Sequence, residues 1–183
     1  MALGMALSHY IESLRSSDKF TDIVLVARTE DGTTKDLPSH LCILARSPVL
    51  DRMFSGAFAE SASKRVEIPV AKVNHLELVR DYLYTDKMEF AADWTASDSV
   101  DLMALVDKYE VTSAFDLVSK ELMNQLGKLG LRDAEQILDH MVSTVGQQGF
   151  VQEALAEIVQ KVKEGSEVMQ FLAWLQDFPI RGP

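Results

Sequence analysis

Ser47-Pro48 is the pair of residues that most constrains how this chain can fold. Proline lacks a backbone N–H and disfavours a helical conformation in the residue before it, so a helix running into Pro48 must stop. At the first position of a new helix the missing N–H costs nothing, and a serine directly ahead supplies a cap. The run Pro38-Ser-His-Leu-Cys-Ile-Leu-Ala-Arg-Ser-Pro48-Val-Leu-Asp-Arg-Met-Phe54-Ser-Gly-Ala-Phe58-Ala-Glu60 therefore reads as two short helices with a shared boundary. Ser39 is the expected cap of the first and Ser47 of the second. Ile43, Leu44, Val49, Leu50, Met53 and Phe54 form one apolar cluster. Ser55-Gly56 ends the second helix and leaves Phe58 in a polar loop, two residues before Glu60.

Asp22-Ile-Val-Leu-Val-Ala27 is apolar and rich in β-branched residues, the pattern of a strand buried on both faces. Thr29–Thr33 is a turn in which Gly32 takes the positive φ, and Lys35–Pro38 returns as a second strand. Arg65–Ile68 alternates as a third strand ended by Pro69, and Met88–Phe90 reads as a last short one. Asn74 is the expected cap of a helix through Tyr84, and Ser97 of one over Asp98–Tyr109. Ahead of the first strand, Leu3, Leu7, Tyr10, Ile11 and Leu14 recur at helical spacing. Beyond Thr112 the pattern is helical only, over Ala114–Leu126, Arg132–Val145, Phe150–Lys163 and Ser166–Gln176. The class is α+β, with a division between residues 1–126 and an all-helical 127–183.

The residues exclude most chemistry. His9, His40, His75 and His140 stand singly, and Cys42 near His40 leaves a metal site short of ligands, so neither metal nor other cofactor is expected. The bland reading of each histidine is structural, because a catalytic one needs an oriented partner. There is no nucleophile elbow and no glycine-rich phosphate loop, so no catalytic residue is assigned and an enzyme is not expected. The formal charge of −10 argues against nucleic acid as a direct ligand. No apolar run approaches the ~20 residues that cross a bilayer, so no membrane partner is expected. A single cysteine suits a reducing compartment, hence an intracellular protein of nucleus and/or cytoplasm.

Over Phe20–Gln125 the chain resembles the BTB/POZ domain, a small mixed sheet covered by helical hairpins. The resemblance is carried by Phe20-Thr-Asp22, by His40 with Ile43-Leu-Ala-Arg-Ser-Pro-Val49, and by Met53-Phe54. Arg65-Val-Glu-Ile68, Tyr82-Leu-Tyr-Thr85 and Asp107-Lys-Tyr109 continue it. Within the family the likeness is to the speckle-type branch. Leu131-Arg-Asp-Ala-Glu-Gln-Ile-Leu138 resembles the opening helix of a BACK domain, making 127–183 a partial BACK-like extension.

The resemblance implies a two-fold homodimer, with Leu7, Tyr10, Ile11, Leu14 and Ile43 at the interface. It also implies a substrate adaptor of a cullin-3 ubiquitin ligase. The adaptor signature is a hydrophobic–x–Glu loop, and Phe58-Ala59-Glu60 stands in its place. The client would be another protein, which the sequence does not name; no MATH, kelch or zinc-finger segment lies within these residues. The alternative is a dimeric scaffold or transcriptional regulator that recruits a corepressor through a groove pairing an Asp with a basic residue after the histidine. Asp22 is present, but Leu41 stands where the basic residue would be. The usual Tyr-Thr-Gly of the family is here Tyr84-Thr85-Asp86. Asp22, at the mouth of a buried strand, is expected to be structural, with Arg46 or Lys19 as its partner.

Overall fold

The computed structural model describes residues 2–17, 19–55, 62–144 and residue 156. Its elements, in order, are α1 (Ala2–Arg15), β1 (Ile23–Arg28), β2 (Thr34–Ser39), α2 (Leu41–Leu44) and α3 (Pro48–Ser55). They continue as β3 (Arg65–Pro69), α4 (Val73–Thr85), α5 (Ala96–Lys108), α6 (Thr112–Leu126) and α7 (Leu131–Thr144). The chain divides into two compact units, Met1–Trp94 with Asp101–Val118, and Thr95–Val100 with Ser119–Pro183.

The first unit is built on a three-stranded sheet in the order β2-β1-β3. β1 is central, as its composition predicts: Ile23, Leu25, Val26 and Ala27 are all buried, on both faces. It pairs antiparallel with β2 through the Asp31-Gly32 turn, where Gly32 has φ +86°. It pairs parallel with β3. Leu37, Val66 and Ile68 bury the inner sides of the flanking strands, and Leu44, Leu50, Phe54, Leu76, Val79 and Leu83 bury the helices of this unit. Each such side chain contributes about 1.5–3 kcal/mol by leaving water.

Both outer strands end their pairing the same way. In β3 the bonds from Val24 N–H to Lys64 O and from Val70 N–H to Arg28 O, each 2.9 Å, show that the even-numbered residues face β1. Arg65, Glu67 and Pro69 therefore turn their backbone groups outward. In β2 the bond from Thr29 N–H to Thr33 O sets the odd-numbered residues toward β1, so Thr34, Asp36 and Pro38 face outward. A proline thus occupies an outward ladder position on each flank. Pro38 lies inside the strand rather than closing it, which an edge strand tolerates because no donor is needed on that side.

Local capping differs from expectation at three helices. Ser47 caps α3 as predicted: its Oγ accepts from Leu50 N–H at 3.2 Å and donates to Tyr109 O at 2.6 Å. Ser39 does not cap α2; its hydroxyl turns back to Leu37 O at 3.0 Å, and His40 occupies the cap position with no side-chain cap bond. At α4 the cap position is Lys72, again with no side-chain cap bond, and Asn74 lies inside the helix. Met88–Phe90 forms no strand. The Phe90 ring instead lies 5.4 Å from that of Trp94, so the alternation there serves aromatic packing rather than pairing.

In the second unit α5 begins with a reciprocal capping box. Thr95 Oγ1 accepts from Asp98 N–H at 3.2 Å, and the Asp98 carboxylate accepts from Thr95 N–H at 3.0 Å. The cap is Thr95, not Ser97, because only Thr95 stands three residues ahead of a carboxylate that can return the bond. Ser99 reaches Gln125 at 3.2 Å, and Gln125 reaches Glu121 at 3.0 Å. Val100, Leu122, Leu126, Ala134, Leu138 and Met141 are buried. The expected helices over 150–163 and 166–176 lie outside the described residues.

Candidate interaction surface

His40 organises the corner where the chain enters the sheet. Its backbone is extended, and its ring is buried between two partners. Nδ1 lies 2.7 Å from the Tyr84 hydroxyl and Nε2 lies 2.8 Å from Lys19 O. A carbonyl only accepts, so Nε2 carries the hydrogen and Nδ1 accepts from Tyr84. The same hydroxyl accepts from His40 N–H at 3.0 Å. Burial raises the Tyr84 phenol above its ordinary value, with the His40 backbone bond opposing the shift. The structural reading of His40 holds, and the sequence missed Tyr84 as the residue that makes it structural.

Asp22 is the second anchor of this corner. Its Oδ1 accepts from Leu41 N–H at 2.8 Å, and its own N–H donates to Ser39 O at 3.2 Å. It is hydrogen-bonded, as expected, but to backbone. Arg46, one of the two expected partners, instead donates to Leu83 O and to the Asp86 carboxylate. Asp86 ends α4 at φ 56° and ψ 21°, the left-handed conformation that glycine adopts most cheaply. The departure from Tyr-Thr-Gly therefore leaves the turn geometry of a glycine in place.

Between the two anchors stands Phe20. It has φ 62° and is 78% exposed. In sequence it is an aromatic placed just outside the apolar run of β1.

The sequence-predicted site residues fall as follows. Tyr10 is exposed, and Ile11, Leu14 and Ile43 are half-buried. The side chain of Leu7 lies outside the described residues. α1 packs on α4 of its own chain, with Arg15 paired to Asp81 at 2.7 Å. The helix thus has a partial home within one chain, which its stripe alone did not predict. Phe58, Ala59 and Glu60 lie outside the described residues. Among the described residues no group of three or more His, Cys, Asp or Glu is placed to hold a metal ion, and no helix is long and apolar enough to cross a membrane.

The BTB/POZ domain family model matches residues 11–126. The chain belongs to the BTB/POZ family. A BTB/POZ domain-containing protein of Arabidopsis thaliana is 28% identical over 127 residues, covering 69% of this chain and 50% of the relative. Human Kelch-like protein 21 is 25% identical over 179 residues, 96% of this chain and 29% of the relative. Zebrafish Kelch-like protein 38 is 30% identical over 125 residues, 68% of this chain and 20% of the relative. The chain thus spans half or less of these relatives, and they do not single out the speckle-type branch. The BTB domain of zebrafish PATZ1 is a structural neighbour with a TM-score of 0.48 at 19% identity, covering 66% of this chain and 90% of that one. BTB domain proteins are in general non-enzymatic protein–protein interaction modules.

Proposed function

We propose that this BTB protein is a dimeric substrate adaptor of a cullin-3 ubiquitin ligase, acting inside the cell, in the nucleus and/or cytoplasm. The observation that carries the reading is the extent of the Kelch-like match. It runs over 96% of the chain, well past residue 126, where the BTB match ends. The part of the sequence beyond the BTB domain is therefore shared with those relatives, which favours an extended platform over a BTB domain alone. Phe58-Ala59-Glu60 supplies the cullin contact, with Phe58 as the aromatic anchor. Tyr10, Ile11, Leu14 and Ile43 join Leu7 at a two-fold interface between copies. The client is another protein.

The corepressor-scaffold reading needs Asp22 and a basic residue to form a charged groove. Here the Asp22 carboxylate is spent on the N–H of Leu41, the residue in the basic position. That arrangement favours the adaptor.

The test is titration of the cullin-3 N-terminal domain into the wild-type chain and into Phe58→Ala, followed by calorimetry. An interface-centre aromatic costs ~2 kcal/mol or more when truncated, so the variant is expected to bind about thirtyfold more weakly or worse. An unchanged urea midpoint would assign the loss to the interface. No binding by the wild-type chain, or equal binding by both, overturns the reading.

A further inference from the structure

We propose that Arg15 and Arg80, which meet where α1 packs on α4, bind a carboxylate carried by an acidic segment of a partner protein. The inference does not depend on the cullin-3 reading. Three observations carry it. The first is a count of charge. Arg15 Nη1 donates to Asp81 Oδ2 at 2.7 Å. Arg80 donates to the other oxygen, from Nε at 3.3 Å and from Nη2 at 3.0 Å. Two guanidiniums thus share one carboxylate, and the group carries a net +1. At Arg65–Asp36 and Arg46–Asp86, by contrast, one cation meets one anion. The surplus also stands in a drier place: the Arg80 side chain is 17% exposed, against 47% for Arg65. An anion brought to a poorly solvated surplus charge gains more than at an exposed pair.

The second is an unused donor. Arg15 Nε is buried and has no hydrogen-bond partner among the described residues. Buried donors are nearly always paired, so an orphan beside a surplus cation favours a further acceptor. A guanidinium is a planar fork of five donors that matches the two oxygens of a carboxylate. Asp81 engages Arg15 through Nη1, and the side chain remains a third exposed, so the fork is reachable from solvent.

The third selects the ligand. One carboxylate brings the group to neutrality. A phosphate dianion would overshoot to −1, on a chain that already carries −10. In a family of protein interaction modules, the bearer of that carboxylate is an Asp or Glu of another protein.

The experiment titrates the isotope-labelled full chain with a capped oligoglutamate peptide at low salt and follows the arginine Nε–H signals by NMR. A capped oligoglutamine peptide is the uncharged control. The Arg15 and Arg80 signals are expected to move saturably with oligoglutamate alone. Arg80→Gln should weaken binding at least about tenfold. Asp81→Asn should have the opposite effect, because it raises the group from +1 to +2 and tightens binding several-fold; this arm stands even if Arg80→Gln fails to fold. Arg65→Gln changes the net charge as Arg80→Gln does and should leave binding unchanged. Equal weakening by Arg65→Gln would trace the attraction to the diffuse field of the chain and overturn the proposal. Unmoved wild-type signals overturn it too, as does an Asp81→Asn variant that binds no more tightly, which would make the three residues a structural bridge. A phosphoserine peptide that binds more tightly than oligoglutamate overturns the carboxylate assignment. Self-association of the wild type that is lost in Arg80→Gln would take the carboxylate from a second copy and overturn the assignment to another protein.

Discussion

The carboxylate of Asp22 caps helix α2 from outside it: Oδ1 accepts from Leu41 N–H at 2.8 Å across a separation of 19 residues. The serine that would ordinarily cap this helix, Ser39, is turned away. One bond therefore joins the entrance of β1 to the start of the helix pair. Truncating the cap in Asp22→Ala should cost about 0.5–2 kcal/mol. Asp22→Asn keeps an acceptor and should lose less than half of that. Urea midpoints of the two variants check both, and equal losses would show that the negative charge, not the hydrogen bond, matters.

Ser47 is more demanding, because its hydroxyl is spent in two directions. It caps α3 and holds the carbonyl of Tyr109, and it is fully buried. Ser47→Ala removes the cap and leaves a buried carbonyl short of a donor, for an expected loss of about 2–4 kcal/mol. Ser47→Thr should retain most of the stability if the added methyl is accommodated. Differential scanning calorimetry of the two variants separates lost hydrogen bonds from lost volume.

Asp86 supplies a test of opposite sign. It sits at φ 56° with its side chain two-thirds exposed, paired to Arg46. An exposed ion pair is worth little, about 0–1 kcal/mol, while glycine at such a site avoids a cost of about 1–2 kcal/mol. Asp86→Gly should therefore leave the melting temperature unchanged or slightly higher, and Asp86→Ala should lower it. A fall in Asp86→Gly as large as in Asp86→Ala would show that the pair with Arg46 outweighs the backbone.

The fold should weaken on the alkaline side. Burial raises Tyr84 and Tyr109 above the ordinary phenol value of 10.0. A group whose folded pKa is raised contributes stability that is fully present below its unfolded value and is lost as pH rises through the folded one. Stability attributable to these two tyrosines should thus hold up to about pH 10 and decline above it. Tyr84→Phe should flatten part of that decline. It should also lower stability by about 1–3 kcal/mol at neutral pH, since His40 loses its partner. Melting temperatures from pH 8 to 11 for wild type and variant are the measurement.

What was legible in the sequence follows the range of the interactions involved. β1 and its turn were legible because composition and Gly32 act within a few residues. Ser47 was legible because a cap and its helix are neighbours. The cap of α2 was not, since Asp22 becomes its neighbour only once β1 and β2 have paired. The same holds for Arg46, whose partner Asp86 arrives with α4, and for His40, whose partners Lys19 and Tyr84 come from opposite sides in sequence. Met88–Phe90 misled because alternation suits a strand and an aromatic stack equally well. Of the candidate site, the half-buried stripe at Ile11 and Leu14 was readable from periodicity. The exposure of Phe20 was not, because it is a property of backbone dihedrals.

Pro38 and Pro69, one on each flank of the sheet, bear on what this chain avoids. A hydrogen-bonding template for fibril growth needs an uninterrupted row of donors along an open edge. On each flank one of the three outward positions has no N–H to offer, and the Arg65 N–H is already taken by Ser63 Oγ at 3.3 Å. Asp36 and Arg65, joined at 2.6 Å, add charge to both borders. At high concentration the protein should therefore stay free of cross-β aggregates so long as the sheet is intact. Replacing Pro69 with threonine should make it turn positive for thioflavin binding first along that border.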